Sequence, residues 1–285
     1  MPRIGIGLGL GLFQGGGGAA PYVGFLDSYP NAAAAYSLRK LRAAYTGNAI
    51  RVRRTDLTEQ NIGFNALGGL DTTALMSFVG TGVLDNGFIT TWYDQSGNGL
   101  NATQTTALNQ PQIVIAGSMY TDINGFPSIR TAINAIWMNT SVNLNNAALS
   151  TFKVIRTGGN LSNSGVMGAT DNVNDYAFFN SFADNNYYYG NGTGAESSIS
   201  AGLTLNSNFI ASTLNRSSTD RQVVTNAVSR GTSNVNKQTN FTMRINAQYR
   251  GLTGFVNEII AYGSGDSLST CQAKQNLINT YYGIY

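Results

Sequence analysis

Along most of this chain apolar and polar residues alternate with a period of two, the pattern of strands whose two faces meet different surroundings. The stretch that organises the rest is Phe88 to Gln104, FITTWYDQSGNGLNATQ. Alternation there predicts a strand with Phe88, Thr90 and Trp92 on one face and Ile89, Thr91 and Tyr93 on the other. A polar turn follows, in which Asp94, Ser96 and Asn98 supply Asx-type hydrogen bonding and Gly97 and Gly99 supply conformational freedom. Such a turn is either a fold-defining corner or a binding loop, and we read Asp94, Ser96 and Asn98 as a structural turn. Further strands are expected at Ala49–Arg54, Gln112–Ile115, Ser128–Thr131, Ile136–Met138, Thr151–Arg156 and Tyr176–Phe182. The pattern continues at Tyr187–Tyr189, Phe209–Asn215, Arg221–Thr225, Thr242–Ile245 and Gly254–Tyr262, with Gly, Asn, Asp and Ser between the strands. Helical patterning is confined to Tyr29–Ala44 with Asn31 as N-cap, Asp71–Val79 with an Asp N-cap, and Leu268–Tyr282 with Ser269 as N-cap. Many short strands without a βαβ rhythm predict an all-β, two-sheet sandwich with a few short helices.

The first residues alternate differently. Ile4, Ile6, Leu8, Leu10 and Leu12 point one way, and Gly5, Gly7, Gly9 and Gly11 leave the other face bare. With the Gly15–Gly18 linker, residues 1–20 read as an assembly arm that orders by docking onto something else, the alternative being a disordered tail. A secretory signal would also place an arginine before an apolar stretch, but the alternating glycines weaken any helical core there. Residues 21–285 are then one β-sandwich domain, within the size range of such folds.

Composition narrows the chemistry. Charged residues make up 11% of 285 residues, glycine reaches 34, and the net charge is +3. Its clusters, Arg39-Lys40-Arg42 and Arg51-Arg53-Arg54, are small, and the second alternates as a solvated strand face, so no nucleic-acid partner is expected. There is no histidine, which excludes His-ligated metals and His-dependent nucleophiles, and Cys271 is the single cysteine. No apolar run is long enough for membrane insertion as a helix.

Several blocks carry a resemblance: YSLRKLRAAYTGNAIRVRR at Tyr36–Arg54, ITTWYDQSGNG at Ile89–Gly99, Gln110-Pro111, GFVNEIIAY at Gly254–Tyr262 and LSTCQAKQNLINTYY at Leu268–Tyr282. In that order they resemble the catalytic domain of the alpha-L-arabinofuranosidase B family, a concanavalin A-like jelly-roll of glycoside hydrolases, over most of residues 32–285. Similar domains occur on phage tail and head proteins. The resemblance implies a nucleophilic Glu in the region Asn174–Asn180 and an acid/base Asp in the region Asn246–Arg250. Neither acid stands there, and the family's adjacent cysteine pair is missing. Glycoside hydrolysis needs two carboxyl groups, so the chain is expected to be no enzyme. Of the three glutamates, Glu59 and Glu196 fall in loops. Glu258 lies inside the closing strand, where a buried carboxylate would bond backbone amides.

The remaining candidates follow from side-chain chemistry. Asn185, Tyr187, Tyr188, Tyr189 and Asn191 offer rings and amides that suit a sugar, although alternate tyrosines equally suit a core. Asp94, Asn98 and Asn101 could offer oxygens to Ca²⁺, but one carboxylate is poor for that ion, so no metal or cofactor is expected. Trp92 and Trp137 read as core. Taken together, these features predict a bacteriophage virion protein, a head fibre, decoration or tail component, and a homo-oligomer. Its arm would contact other virion proteins and its lectin-like domain host glycan. A secreted arabinofuranosidase-like hydrolase with rearranged carboxylates, such as Asp175 with Asp94, is the alternative.

Overall fold

The structure, a computed structural model, describes residues 22–131, 136–145, 148–158, 166–169, 180–181, 186–189, 197–200, 202, 204–217, 219–234, 240–246 and 254–285. In chain order the strands begin with β1 (Ala34–Ser37), β2 (Ile50–Arg54), β3 (Glu59–Ile62), β4 (Gly87–Trp92), β5 (Ala102–Thr103) and β6 (Gln112–Ile115). They continue with β7 (Ser118–Met119), β8 (Ile129–Thr131), β9 (Met138–Asn145), β10 (Leu149–Thr157), β11 (Met167–Ala169), β12 (Asn180–Ser181) and β13 (Asn186–Tyr189). The last are β14 (Ser197–Ser200), β15 (Asn208–Ser217), β16 (Asp220–Thr225), β17 (Val228–Ser233), β18 (Asn240–Ile245) and β19 (Gly254–Tyr262). Helices are α1 (Phe25–Ser28), α2 (Thr72–Val79) and α3 (Leu268–Tyr282).

All the strand pairs are antiparallel, and one 16-stranded sheet runs β11-β18-β9-β5-β4-β6-β8-β19-β10-β15-β16-β17, with β1, β2, β3 and β7 attached beside it. It folds over on itself as an all-β sandwich. Val142, Leu144 and Met243 of the first half share one core with Leu149, Phe209, Ala211 and Val223 of the second. A second core lies on the other side of the second half. There Phe152, Val154, Ile210 and Ile260 pack under Phe25 and Leu26 of α1 and Cys271, Ile278 and Tyr282 of α3. The short strands β6 and β8 join the halves, pairing Gln112 with Arg130.

Three local expectations are corrected. The stretch Tyr29–Ala44 is not a helix. Asn31 sits at φ 64° in the left-handed region, and Ala34–Ser37 pairs as β1 with Glu258–Ala261. Alanine favours helix, yet here its small side chain lets the strand lie buried on both sides, and tertiary hydrogen bonding outweighs propensity. The alternation of β4 is also broken. Its register against β2 slips between Arg51 and Val52, leaving Thr90 as a bulge. Ile89 and Trp92 therefore both enter the core, while Phe88 stays half-exposed on the outer face. Finally, α3 is capped by Ser267, whose Oγ accepts from the Thr270 amide at 3.1 Å, and the expected cap Ser269 lies inside the first turn.

The Asp94 turn explains why β1 is a strand. Asp94 Oδ1 accepts from the amides of Ala35 and Ser96, both at 2.9 Å, and Oδ2 accepts from Ser96 Oγ at 2.7 Å and the Leu100 amide at 3.1 Å. Gln95, fully buried, accepts from the Leu41 amide through Oε1 and donates from Nε2 to the carbonyls of Ser37 and Arg39, both at 3.0 Å. Asn98 Nδ2 donates to the carbonyls of Ala32 and Ala33. Groups that a helix would have bonded internally are thus taken by a turn remote in sequence. Gly97, at φ 98°, supplies the left-handed step the turn needs.

Candidate functional site

Where the two halves meet, register lines up one outward residue from each neighbouring strand. Arg53 of β2 is opposite Phe88 of β4, Phe88 is opposite Gln112 of β6, and Gln112 is opposite Arg130 of β8. The row continues to Phe255 of β19 and Arg156 of β10. Residues directly opposite on antiparallel strands share a face, so these side chains form one stripe across the seam. Their chain neighbours Val52, Ile89, Ile113, Ile129 and Val256 point the other way, into the core.

A cleft of about 440 Å³ opens over the first part of this row, lined by Arg53, Phe88, Gln110, Gln112, Arg130 and Ile136 among others. That volume falls within the usual range for small-ligand sites. Its polar groups are fixed in place. Arg53 is 9% exposed, donates through Nε to Gln110 Oε1 at 2.7 Å and through Nη1 to the Arg54 carbonyl at 3.0 Å, and lies 4.6 Å from the Phe88 ring centre. Gln110 donates in turn to the Gln104 carbonyl at 2.9 Å, and Gln104 donates to the Trp137 carbonyl at 2.9 Å. Arg130 is exposed and donates through Nη1 to Gln112 Oε1 at 3.1 Å. Leu108, 87% exposed, stands at the rim on a 3-10 turn, Ala107–Asn109. The arrangement presents the Phe88 ring, the Gln112 carboxamide and two guanidinium groups to one ligand, with Gln110 buried behind Arg53 as its support.

The expectations for individual residues fare differently. Alternation predicts Arg53 on a solvated strand face; the structure buries it and turns it into the cleft. Gln112 and Arg130 drew no functional reading, because only the register of β4, β6 and β8 brings them beside Phe88. Glu258 is fully buried, as a carboxylate inside the closing strand should be, but its partners are side chains. It accepts from Ser37 Oγ at 2.8 Å, from Arg39 Nε at 2.7 Å and Nη2 at 3.0 Å, and from the Tyr282 hydroxyl at 3.3 Å. Burial works against the Arg39 cation, and the Glu258 charge more than offsets this, so its pKa lies above the ordinary arginine value.

Asp94, Ser96 and Asn98 sit in the turn described above, where donors already occupy both Asp94 oxygens. Among the described residues no cluster of three His, Cys, Asp or Glu side chains could hold a metal, and no helix is long and apolar enough to cross a membrane. Tyr187, Tyr188 and Tyr189 form the body of β13, the middle strand of the small sheet β12-β13-β14. Asn185 and Asn191 lie outside the described residues, as do the arm residues Ile4, Ile6, Leu8, Leu10 and Leu12. Trp92 is buried, while Trp137 is half-buried under the Arg244 guanidinium, 5.7 Å from its ring centre.

No protein-family model matches the chain, and no curated protein sequence matches it either. Solved structures do. A GH54 α-L-arabinofuranosidase soaked with a cyclic sulfate inhibitor superposes with a TM-score of 0.67 at 14% identity, covering 90% of this chain and 64% of that one. An arabinofuranosidase complexed with arabinofuranosyl-α-1,2-xylobiose gives 0.64 at 15% identity, with the same 90% and 64% coverage. A mutant GH54 enzyme soaked with 4-nitrophenyl α-L-arabinofuranoside gives 0.65 at 16%, again over 90% and 64%. The chain thus spans about two thirds of the length of these enzymes. This likeness overturns the expectation that the chain is no enzyme. That expectation came from acids missing at two stretches of sequence, Asn174–Asn180 and Asn246–Arg250. Most of both stretches, together with Asp171, Asp175, Asp184 and Glu196, lies outside the described residues. Spacing along a chain does not fix which carboxylates face one another across a sheet. At these identities the likeness establishes architecture: the chain has the β-sandwich fold found in the GH54 arabinofuranosidases.

Proposed function

We propose that this β-sandwich engages saccharide at the seam cleft, as a lectin-like domain presented on a virion surface by its N-terminal arm. The carrying observation is the Phe88 ring flanked by guanidinium and carboxamide groups that are themselves held in place. Sugars stack their CH faces on rings and exchange hydrogen bonds with amides and guanidinium groups. Pre-arranged partners of this kind lose little freedom on binding. A fold shared with arabinofuranosidases, one of them complexed with an arabinofuranosyl xylobiose, supports the same ligand class. Screening the full chain on a glycan array, followed by titration of the best binder, tests this. Phe88→Ala is expected to weaken that binding about tenfold, on the scale of one aromatic contact. Unchanged affinity, or no glycan bound by the parent protein, would overturn the reading. The virion half rests on the alternating arm alone, and mass spectrometry of purified particles checks it.

The shared fold favours a second reading, hydrolysis of an α-L-arabinofuranoside. A retaining mechanism requires two carboxyl groups about 5–5.5 Å apart, and an inverting one a wider pair. Incubation with 4-nitrophenyl α-L-arabinofuranoside is expected to release nitrophenol above the buffer rate, with the release lost in Asp175→Asn. Release at the buffer rate alone would exclude this substrate.

A further inference from the structure

The cleft contains more positive charge than a neutral sugar would use. Among the described residues, the ion pairs are Arg39–Glu258, Arg51–Glu59, Arg54–Asp56, Arg216–Asp220 and Lys274–Asp266. Neither Arg53 nor Arg130 is among these pairs of described residues. Arg53 is nine-tenths buried, its Nε and Nη1 are engaged, and its Nη2 has no hydrogen bond among the described residues. Arg130 donates one hydrogen bond, from Nη1 to a neutral amide, and its guanidinium lies 5.8 Å from the Tyr120 ring centre. Burying a cation without a carboxylate partner is costly, and the Phe88 ring beside Arg53 offsets that only in part, so an anionic ligand would be favoured there.

We infer that the seam cleft selects saccharides bearing carboxylates, uronate-type oligosaccharides, with Arg53 and Arg130 each reading an acid group and Phe88 and Gln112 contacting the sugar between them. This rests on the saccharide reading above and adds the charge of the ligand to it. A guanidinium presents two N–H groups in the plane of a carboxylate, a geometry that lysine lacks. Adjacent strands lie about 4.8 Å apart, so Arg53 and Arg130, three strands apart in the row, are set about 14 Å from one another along it. That length suits an oligosaccharide better than a single ring. The same stripe runs on to Arg156, which lies 5.0 Å from the Phe255 ring centre and donates to the Thr121 carbonyl at 3.1 Å. Asp122, the carboxylate beside Arg156, is itself engaged by the Asn257 side chain and by the amides of Asn124 and Phe126.

The test is titration calorimetry of the full chain at low salt with trigalacturonate and with its fully methyl-esterified form, which keeps the shape and removes the charge. The free acid is expected to bind at least about tenfold more tightly, since a charge-assisted bond is worth that much or more. Arg130→Gln should abolish this preference. Arg130→Lys should keep only part of it. Because Arg130 is exposed, neither substitution threatens folding. Adding sulfate at the same ionic strength should compete with the acid if the guanidinium groups are the contact. Equal affinity for the two forms, or a preference untouched by Arg130→Gln, would overturn the inference while leaving saccharide binding in place. Failure of every oligosaccharide, on the array and in titration, would remove both.

Discussion

Glu258→Ala is expected to destabilise the fold by about 3–5 kcal/mol, the range seen when one partner of a buried ion pair is removed. The carboxylate is fully buried and the Arg39 side chain is 7% exposed. Alanine would leave the guanidinium in the interior without counter-charge. It would also strip the Ser37 and Tyr282 hydroxyls of an acceptor, each loss adding a desolvation penalty of its own. Arg39 also stacks on Tyr281 and Tyr282, at 4.7 and 5.3 Å from the ring centres, so the disturbance would spread into the end of α3. Urea unfolding followed by far-UV circular dichroism measures this directly. Replacing both partners by apolar residues, Arg39→Met with Glu258→Leu, should be far milder than either single change, because no charge is stranded. A single-mutant loss below about 1 kcal/mol would show that the pair is unimportant for stability.

The second large effect is expected at Asp94. Its two oxygens accept from three backbone amides and one hydroxyl, and the residue is 4% exposed. Asp94→Ala should therefore cost about 3 kcal/mol, bonds to a charged acceptor being worth about 1.5–3 kcal/mol each and not additive. Asp94→Asn retains one acceptor oxygen and should recover part of the loss. Thermal melts of the two variants beside the parent decide it, and an alanine variant melting within about 2 °C of the parent would contradict the assignment. Since β1 gets one of its bonds from Asp94, hydrogen exchange at the Ala35 amide should accelerate in the same variant.

Most of the longer strands were legible from sequence, as were the turn chemistry after β4 and the two longer helices, but β9 was expected only as Ile136–Met138 although its burial alternates residue by residue over Met138–Asn145. What misled was local preference where a remote partner decides. The alanines at Ala32–Ala35 favour a helix by themselves, and nothing nearby says that Asp94, Gln95, Asn98 and β19 will take their backbone groups. The bulge at Thr90 is similarly hidden, because it exists only in the pairing of β4 with β2. For the same reason the cleft was out of reach. Arg53, Phe88, Gln112 and Arg130 are unremarkable in their own segments and become a site only when four strands settle into register. The buried carboxylate at Glu258 was readable as buried. Its partner Arg39, 219 residues earlier, was not.

The pairing of β1 with β19 has a consequence for how the protein is made. Ser37 and Glu258 are 221 residues apart, so β1 emerges from the ribosome long before its partner strand exists. At translation speeds of about 5–20 residues per second, that interval is about 10–45 s, far longer than a small sheet takes to collapse. Until the Asp94 turn has emerged, 59 residues after Ala35, the nascent Tyr29–Ala44 stretch is free to follow its alanines into helical turns, and docking it onto that turn and later onto β19 then means unwinding them.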